Sequence, residues 1–79
     1  MKNPQGVKAF GIHIRRLRET HNLSQQELAD LADIAKITIQ RIENAKFSVT
    51  LDVLISISKA INISLSDLLE FAIPVEKQK

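Results

Sequence analysis

The sequence predicts an all-α fold, a compact domain of five short helices. Apolar residues recur at steps of three and four along most of the chain, and no stretch of useful length alternates with the two-residue period of a strand. Polar residues suited to begin a helix precede three of the apolar runs, at Ser24, Thr50 and Ser64. With 79 residues and a hydrophobic fraction of 44%, the chain suffices for one folded domain.

The composition excludes several kinds of chemistry. The chain has no Cys, which excludes disulfides, thiolate chemistry and Cys-based zinc sites and fits an intracellular protein. Its three aromatic residues are all Phe, so the core is expected to be aliphatic. The first residues lack the apolar run of a signal peptide, and no segment has the apolar length needed to span a bilayer. No membrane partner is therefore expected.

Positive charge is concentrated in the first half of the chain. Residues 1–46 contain eight Lys or Arg and five Asp or Glu, a net charge of +3, whereas residues 47–79 contain three and four, a net charge of −1. A basic half beside a nearly neutral half suggests that one side of the domain faces a polyanion and that the other side serves a different purpose.

The folded domain is predicted to span residues 8–71. Residues 1–7 contain Pro and Gly without periodicity and are predicted to form a flexible N-terminal arm, and residues 72–79 a C-terminal tail. Helix 1 is predicted from about residue 7 to residue 21, because three apolar residues fall at helical spacing: Phe10, Ile14 and Leu17.

Helix 2 has the clearest start signal in the chain. Asn22 is a suitable stop for helix 1, because Asn tolerates the left-handed conformation. Ser24 then begins helix 2, and Glu27 three residues later completes a capping box. The small side chains of Ala29 and Ala32 allow another helix to approach closely.

Helix 3 follows after a turn at Asp33 and is predicted over about residues 35–44. Ile39 and Ile42 form its buried stripe. Away from that stripe lie five residues linked by steps of three and four: Lys36, Ile37, Gln40, Arg41 and Asn44. A capped helix, a tight turn and a second helix with a polar front is an arrangement by which small domains present one helix to the major groove of DNA.

Two further helices complete the prediction. Thr50 is a good N-cap for helix 4, in which helical spacing places five residues on one face: Leu51, Leu54, Ile57, Ser58 and Ile61. Ser64 begins a short helix 5, with Asp67 at its third position. Pro74 prevents easy continuation of that helix.

The order and spacing of four motifs resemble the Cro/C1-type (phage-repressor-like, XRE) helix-turn-helix family. The motifs are Ile14-Arg-Arg-Leu-Arg18, Leu23-Ser-Gln-Gln-Glu-Leu-Ala29, Thr38-Ile-Gln-Arg-Ile-Glu-Asn44 and Ile63-Ser-Leu-Ser-Asp-Leu-Leu69. The resemblance covers about residues 8–70 and implies a lambda-repressor-like domain that binds double-stranded DNA.

Three residues depart from the family pattern. Asp33 stands where Gly is usual in the turn, and Asp tolerates a positive φ at some cost. Ala45 replaces the usual Gly at the end of helix 3, and Val49 replaces a frequent Pro. Because Ala is disfavoured in the left-handed conformation, the chain is expected to leave helix 3 by a different path.

Four residues of helix 3 are the candidates for reading bases: Lys36, Ile37, Gln40 and Arg41. Lys and Arg can donate hydrogen bonds to guanine O6 and N7, and Gln can recognise adenine. The apolar Ile37 could pack on a thymine methyl group or could equally fill a gap against helix 2. Without the surrounding motif, Lys36 and Arg41 would be interpreted as an ordinary solvated helix face.

Phosphate contacts are expected from residues around this face. Gln25 could meet a phosphate at the positive end of helix 2, as the resemblance also implies, and we prefer that interpretation to a merely exposed helix former. Four further residues would contact the sugar-phosphate backbone: Thr38, Asn44, Lys46 and Ser48. For Lys8, Arg15 and Arg16 we favour solvated surface charge.

The resemblance also implies an ion pair between Arg18 and Glu43 that ties helix 1 to helix 3. The pair could set the angle of helix 3 on DNA, or it could simply hold the fold together, and we favour the structural role. Five apolar residues near the C-terminus exceed the needs of a short helix: Leu65, Leu69, Phe71, Ile73 and Val75. We predict that they form a dimer interface, the alternative being a cover for the core of a monomer.

The predicted function is sequence-specific binding of double-stranded DNA by a cytoplasmic bacterial or phage-encoded transcriptional regulator, a repressor acting as a homodimer on a palindromic operator. No catalytic set, cofactor site or small-molecule ligand is evident, and His13 and His21 are interpreted as surface residues rather than metal ligands. The alternative is an antitoxin that binds a toxin and represses its own operon. The short segment after helix 5 argues against a separate toxin-binding region.

Overall fold

A computed structural model describes residues 3–46 and 48–73 of the chain. It contains five helices, which we name in chain order: α1 Pro4–Thr20, α2 Gln25–Ala32, α3 Lys36–Glu43, α4 Leu51–Ala60 and α5 Leu65–Leu68. The described ranges contain no strand, so the predicted all-α fold is confirmed. None of the described helices is both long and apolar enough to cross a membrane.

The first helix begins earlier than the sequence predicted. Residues 4–7 belong to α1, although the sequence predicts a flexible arm over residues 1–7. Pro4 occupies the first turn, where its missing N–H leaves no hydrogen bond unmade and its fixed φ suits the helix. The N–H of Val7 donates to the carbonyl of Asn3 at 3.0 Å and closes that turn. Proline was therefore a start signal here and not a sign of irregular chain.

Each of the four connections after α1, α2, α3 and α4 contains a residue in the left-handed conformation. A residue with φ between 56° and 58° follows each helix: Asn22, Asp33, Ala45 and Asn62. Asp33 thus adopts the left-handed conformation in place of the usual Gly. The expectation for Ala45 was wrong, because the chain leaves α3 by the left-handed route despite the Cβ. The N–H of Ala45 donates to the Ile42 carbonyl at 3.1 Å, which holds the conformation in place.

Replacing Ala45 with glycine is expected to raise the free energy of unfolding by about 0.5–1 kcal/mol, since relief of the left-handed strain exceeds the extra chain entropy of glycine. Chemical denaturation followed by far-ultraviolet circular dichroism measures the change. Ala9→Gly, within α1, is the control and is expected to lose about 1 kcal/mol. Equal losses in both variants would show that Ala45 is unstrained.

The core is one cluster of buried side chains to which all five helices contribute. Its buried apolar residues are Phe10, Ile14, Leu28, Ala29, Ala32, Ile39, Ile42, Ile57, Ile61 and Leu68. The polar residue Ser58 is buried beside them, and its hydroxyl donates to the Ile55 carbonyl at 2.8 Å. Because Ile39 and Ile42 lie in this core, the opposite face of α3 is directed away from the domain.

Candidate nucleic-acid interface

The start of α2 and the turn to α3 are fixed by local hydrogen bonds. The Ser24 hydroxyl accepts from the Glu27 backbone N–H at 3.0 Å, and the Glu27 carboxylate accepts from the Ser24 N–H at 2.8 Å. This reciprocal pair is a complete capping box. After the left-handed Asp33, the N–H of Ile34 donates to the Ala29 carbonyl at 3.0 Å. The turn therefore holds α2 and α3 in a fixed relation.

The outward face of α3 contains the residues predicted to read bases. Lys36, Ile37 and Arg41 are exposed and Gln40 is half-buried. Ile37 is 50% exposed, so it does not fill a gap against α2 in the way that one interpretation expected. Together with the buried back of the helix, these four side chains give a surface that can donate hydrogen bonds and also offer an apolar contact.

The residues predicted to contact phosphate border this face. Asn44, Lys46 and Ser48 are exposed and follow the end of α3, while Thr38 is half-buried within it. Residue 47, between two of them, lies outside the described residues. The charge of Lys46 and the polar groups of its neighbours suit contacts with a sugar-phosphate backbone.

The side chain of Gln25 has a partner that the sequence did not predict. Its amide nitrogen donates to the Glu43 carboxylate at 3.0 Å, so one of its N–H bonds is directed into the domain. The backbone N–H of Gln25 belongs to the first residue of α2, where a helix has free donors and a partial positive charge. A phosphate contact at this residue therefore depends chiefly on the backbone of α2 and the second amide hydrogen.

Arg18 and Glu43 form a two-point ion pair between α1 and α3. The Arg18 Nε donates to Glu43 Oε2 at 2.7 Å and its Nη2 donates to Oε1 at 3.1 Å. A third donor, Nη1, reaches the Leu23 carbonyl at 2.8 Å. The two side chains are 11% and 3% exposed. With Gln25 on the same carboxylate, the last residue of α3 is held from both α1 and α2.

The hydrogen bond to Glu43 raises the pKa of Arg18 above its ordinary value, and the charge of Glu43 acts in the same direction against the effect of burial. A raised folded-state pKa gives a stabilisation that is fully present below the unfolded-state pKa and is lost only as the pH rises through the folded value. For arginine that window lies far above neutrality, so Arg18 stays charged under all ordinary conditions.

The interpretation of His13 as a surface residue was wrong. His13 is half-buried, its Nε2 lies 2.8 Å from the Leu68 carbonyl, and its ring stacks on Phe71 with centroids 5.3 Å apart. It connects α1 to the end of α5 across the fold. His21 is exposed and its Nδ1 lies 2.8 Å from the Leu17 carbonyl. Across residues 3–46 and 48–73, no cluster of His, Asp and Glu could hold a metal.

The residues predicted to form a dimer interface divide into three groups. Leu69 and Ile73 are 41% and 52% exposed. Leu65 and Phe71 are half-buried and pack on the core, so part of the predicted patch belongs to the domain itself. Val75 lies outside the described residues. Of the predicted interface residues that the structure describes, Leu69 and Ile73 are therefore the two that are accessible to another molecule.

An apolar cavity of about 250 Å³ opens beside that pair. Its lining includes Phe10 and Leu54 from the helices and Val49 from the loop before α4, together with Leu69 and Ile73. No spacing in the sequence indicated it, because its walls come from segments far apart in the chain.

Comparisons with known proteins agree with this geometry. A family model described as helix-turn-helix matches residues 14–68. The control protein C.SmaI of Serratia marcescens is 37% identical over 57 residues, which are 72% of this chain and 68% of that protein. The control protein C.BamHI of Bacillus amyloliquefaciens is 38% identical over 63 residues, which are 78% of each chain.

A solved structure shows the same architecture. The crystal structure of the restriction-modification controller protein C.AhdI from Aeromonas hydrophila matches with a TM-score of 0.77 and 27% identity, over 80% of this chain and 96% of that one. The clp gene regulator ClgR from Corynebacterium glutamicum shares the fold, with a TM-score of 0.76 and 24% identity over 86% of this chain and 72% of that one. The chain therefore belongs to the Cro/C1-type helix-turn-helix family of DNA-binding transcriptional regulators.

Proposed function

We propose that this protein binds a palindromic operator as a homodimer, with α3 of each copy in the major groove, and represses transcription from that site. The observation that carries the proposal is the division of α3 into two faces. Its back is buried at Ile39 and Ile42, and its front presents Lys36, Ile37 and Arg41 to solvent. A helix held so firmly from behind can present its front side chains to base edges in one orientation.

Each front side chain has a chemical role at the base edges. Lys36 and Arg41 donate to guanine O6 and N7, and Gln40 pairs with adenine. Ile37, half exposed, packs on a thymine methyl group. The four side chains supply selectivity, whereas the phosphate contacts supply most of the affinity.

The phosphate contacts come from both sides of α3. Gln25 contributes from the start of α2, Thr38 from within α3, and three residues from the loop after it: Asn44, Lys46 and Ser48. These residues fix the register of the domain on the duplex without reading its sequence.

The dimer uses the end of the domain that contains α5. Leu69 and Ile73 are exposed apolar residues there, and Leu65, Phe71 and Val75 extend the same segment in sequence. A two-fold axis at this end places two copies of α3 in successive major grooves, about 34 Å apart.

The relatives narrow the biological role. Two of the similar proteins are control proteins, and one of the similar solved structures is that of a restriction-modification controller. We therefore place this protein in the cytoplasm of a bacterium, as a controller of a restriction-modification system that acts by binding DNA rather than by catalysis. The relatives give no support to the antitoxin alternative.

The experiment that tests the proposal is selection of binding sites from a random duplex library. We expect an enriched palindrome with half-sites about 10 base pairs apart, from centre to centre, bound by two copies of the chain. Binding that depends on salt without an enriched sequence would reduce the protein to an electrostatic DNA binder. An enriched site bound by one copy would refute the dimer and leave the base-reading role of α3 intact.

Arg41→Ala is expected to weaken binding to the selected site by about 1–3 kcal/mol and to relax base preference at one position of each half-site, because it removes a base contact. Competition binding against site variants measures both effects. Lys46→Ala is the matched control, with an expected uniform loss on all sequences and a salt slope reduced by about 1. A uniform loss for Arg41→Ala would identify it as a phosphate contact instead.

A further inference from the structure

Gly11 lies in the middle of α1, at the point where this helix approaches the end of α3. It is buried, although it has no side chain. A Cβ atom at this residue would lie 2.5 Å from the carbonyl oxygen of Ile42 and 3.1 Å from that of Glu43. Carbon and oxygen atoms in contact do not approach to 2.5 Å, so any other residue at this site must displace the last turn of α3.

The carbonyl that Gly11 approaches has a second task. It accepts the backbone N–H of Ala45 at 3.1 Å, and that bond holds Ala45 at a φ of 58°. The neighbouring N–H of Lys46 donates to the Arg41 carbonyl at 2.7 Å. A displacement of the Ile42 carbonyl therefore reaches the segment that directs the chain out of α3.

We propose that Gly11 is a positioning residue for DNA recognition. Because it has no Cβ, α1 can approach the last turn of α3 closely, and this approach fixes the position of that turn and of the residues that follow it. This inference rests on the proposed function, because Arg41 lies in that turn and Asn44 and Lys46 follow it. The close backbone approach acts together with the ion pair of Arg18 and Glu43. The ion pair pulls the end of α3 towards α1, and the absence of a Cβ at Gly11 sets how near it comes.

The sharpest test compares two Gly→Ala changes in the same helix. At Gly6 the added Cβ would meet Ile73 Cδ1 at 3.7 Å, an ordinary contact, so Gly6→Ala is the matched control. Both changes replace glycine in α1 with alanine, the better helix former. We expect Gly11→Ala to lower affinity for the selected site by about tenfold, the cost of one misplaced base contact. Affinity for unrelated DNA is expected to fall less, because only the displaced phosphate contacts of Asn44 and Lys46 contribute there. Gly6→Ala is expected to leave both affinities unchanged.

A second measurement uses the free protein. In two-dimensional amide NMR spectra, Gly11→Ala is expected to shift the resonances of residues 42–46, whereas Gly6→Ala leaves them in place. Both variants are compared under conditions where circular dichroism shows them to be folded. If Gly11→Ala alone does not fold, the change is made in the Ala45→Gly background. Glycine at residue 45 tolerates more backbone conformations, so the segment after α3 can adjust to the displaced Ile42 carbonyl.

The outcomes separate this inference from the proposed function. If the unchanged protein selects no sequence, the proposed function fails. If it selects a site and folded Gly11→Ala binds that site with equal affinity, the positioning role of Gly11 is refuted. A double variant with Ala45→Gly that does not fold also refutes it, since Gly11 would then serve the fold as a whole.

Discussion

Glu43→Ala is expected to lower the free energy of unfolding by about 3–5 kcal/mol, because it strands a largely buried guanidinium without its partner. The Glu43 carboxylate accepts from Arg18 at 2.7 and 3.1 Å and from Gln25 at 3.0 Å, so one truncation removes three hydrogen bonds. In a domain this small, such a loss is a large share of the total stability. Urea denaturation followed by circular dichroism measures the loss.

The exposed ion pair of Arg15 and Glu19 is the matched control. It joins the same residue types at 3.3 Å, but its side chains are 65% and 56% exposed. Glu19→Ala is therefore expected to cost no more than about 0.5 kcal/mol. A loss of similar size at both glutamates would show that the ion pair between α1 and α3 stabilises the fold no more than an exposed pair does.

The buried ion pair of Arg18 and Glu43 could orient α3 on DNA or only stabilise the fold, and a double substitution separates these two roles. The double change Arg18→Met with Glu43→Leu replaces the charges by apolar side chains, and such replacements are often neutral or stabilising. We expect this variant to recover most of the stability lost in Glu43→Ala and to keep its preference for the selected operator. Recovered stability with a changed base preference would instead show that the ion pair orients α3.

Truncation of two isoleucines of α3 is expected to change the free energy of unfolding by very different amounts. Ile39 is fully buried, and Ile39→Ala is expected to lower the free energy of unfolding by about 2–5 kcal/mol through lost burial and a residual cavity. Ile37 is 50% exposed, and Ile37→Ala is expected to change stability by no more than about 0.5 kcal/mol. Thermal and chemical unfolding of the two variants measures the difference.

DNA binding is expected to reverse this order. For folded protein, Ile39→Ala should leave base preference intact, because Ile39 faces the core. Ile37→Ala should lose its preference for thymine at one position of each half-site, which substitution of uracil for that thymine also tests, since uracil lacks the methyl group. If Ile37→Ala destabilises the domain as strongly as Ile39→Ala, Ile37 would be a packing residue.

Much of the fold follows from local signals in the sequence. The capping box of Ser24 and Glu27 and the N-cap at Thr50 are formed as predicted, since each depends on groups within three residues of one another. The start of α1 does not follow from the sequence, because Pro4 is compatible both with an irregular segment and with the first turn of a helix. The structure places it in the first turn.

The candidate site was predicted less completely than the fold. The exposed front of α3 follows from the position of Ile39 and Ile42 alone, because helical periodicity fixes which residues share a face. The partner of the Gln25 amide did not follow from it. Gln25 and Glu43 are 18 residues apart, and their contact depends on the angle between two packed helices.

The sequence by itself therefore determined the presence of five helices, the side-chain caps at Ser24, Thr50 and Ser64, and the face of α3 that is directed away from the core. These features depend on spacing and on neighbours within one helical turn. The tertiary structure alone decided that Ala45 is left-handed, that His13 reaches Leu68 and that Gly11 admits no side chain. Each of these depends on packing, which brings together atoms that are distant in the chain. Favourable contacts elsewhere in the fold can offset backbone strain at a single residue.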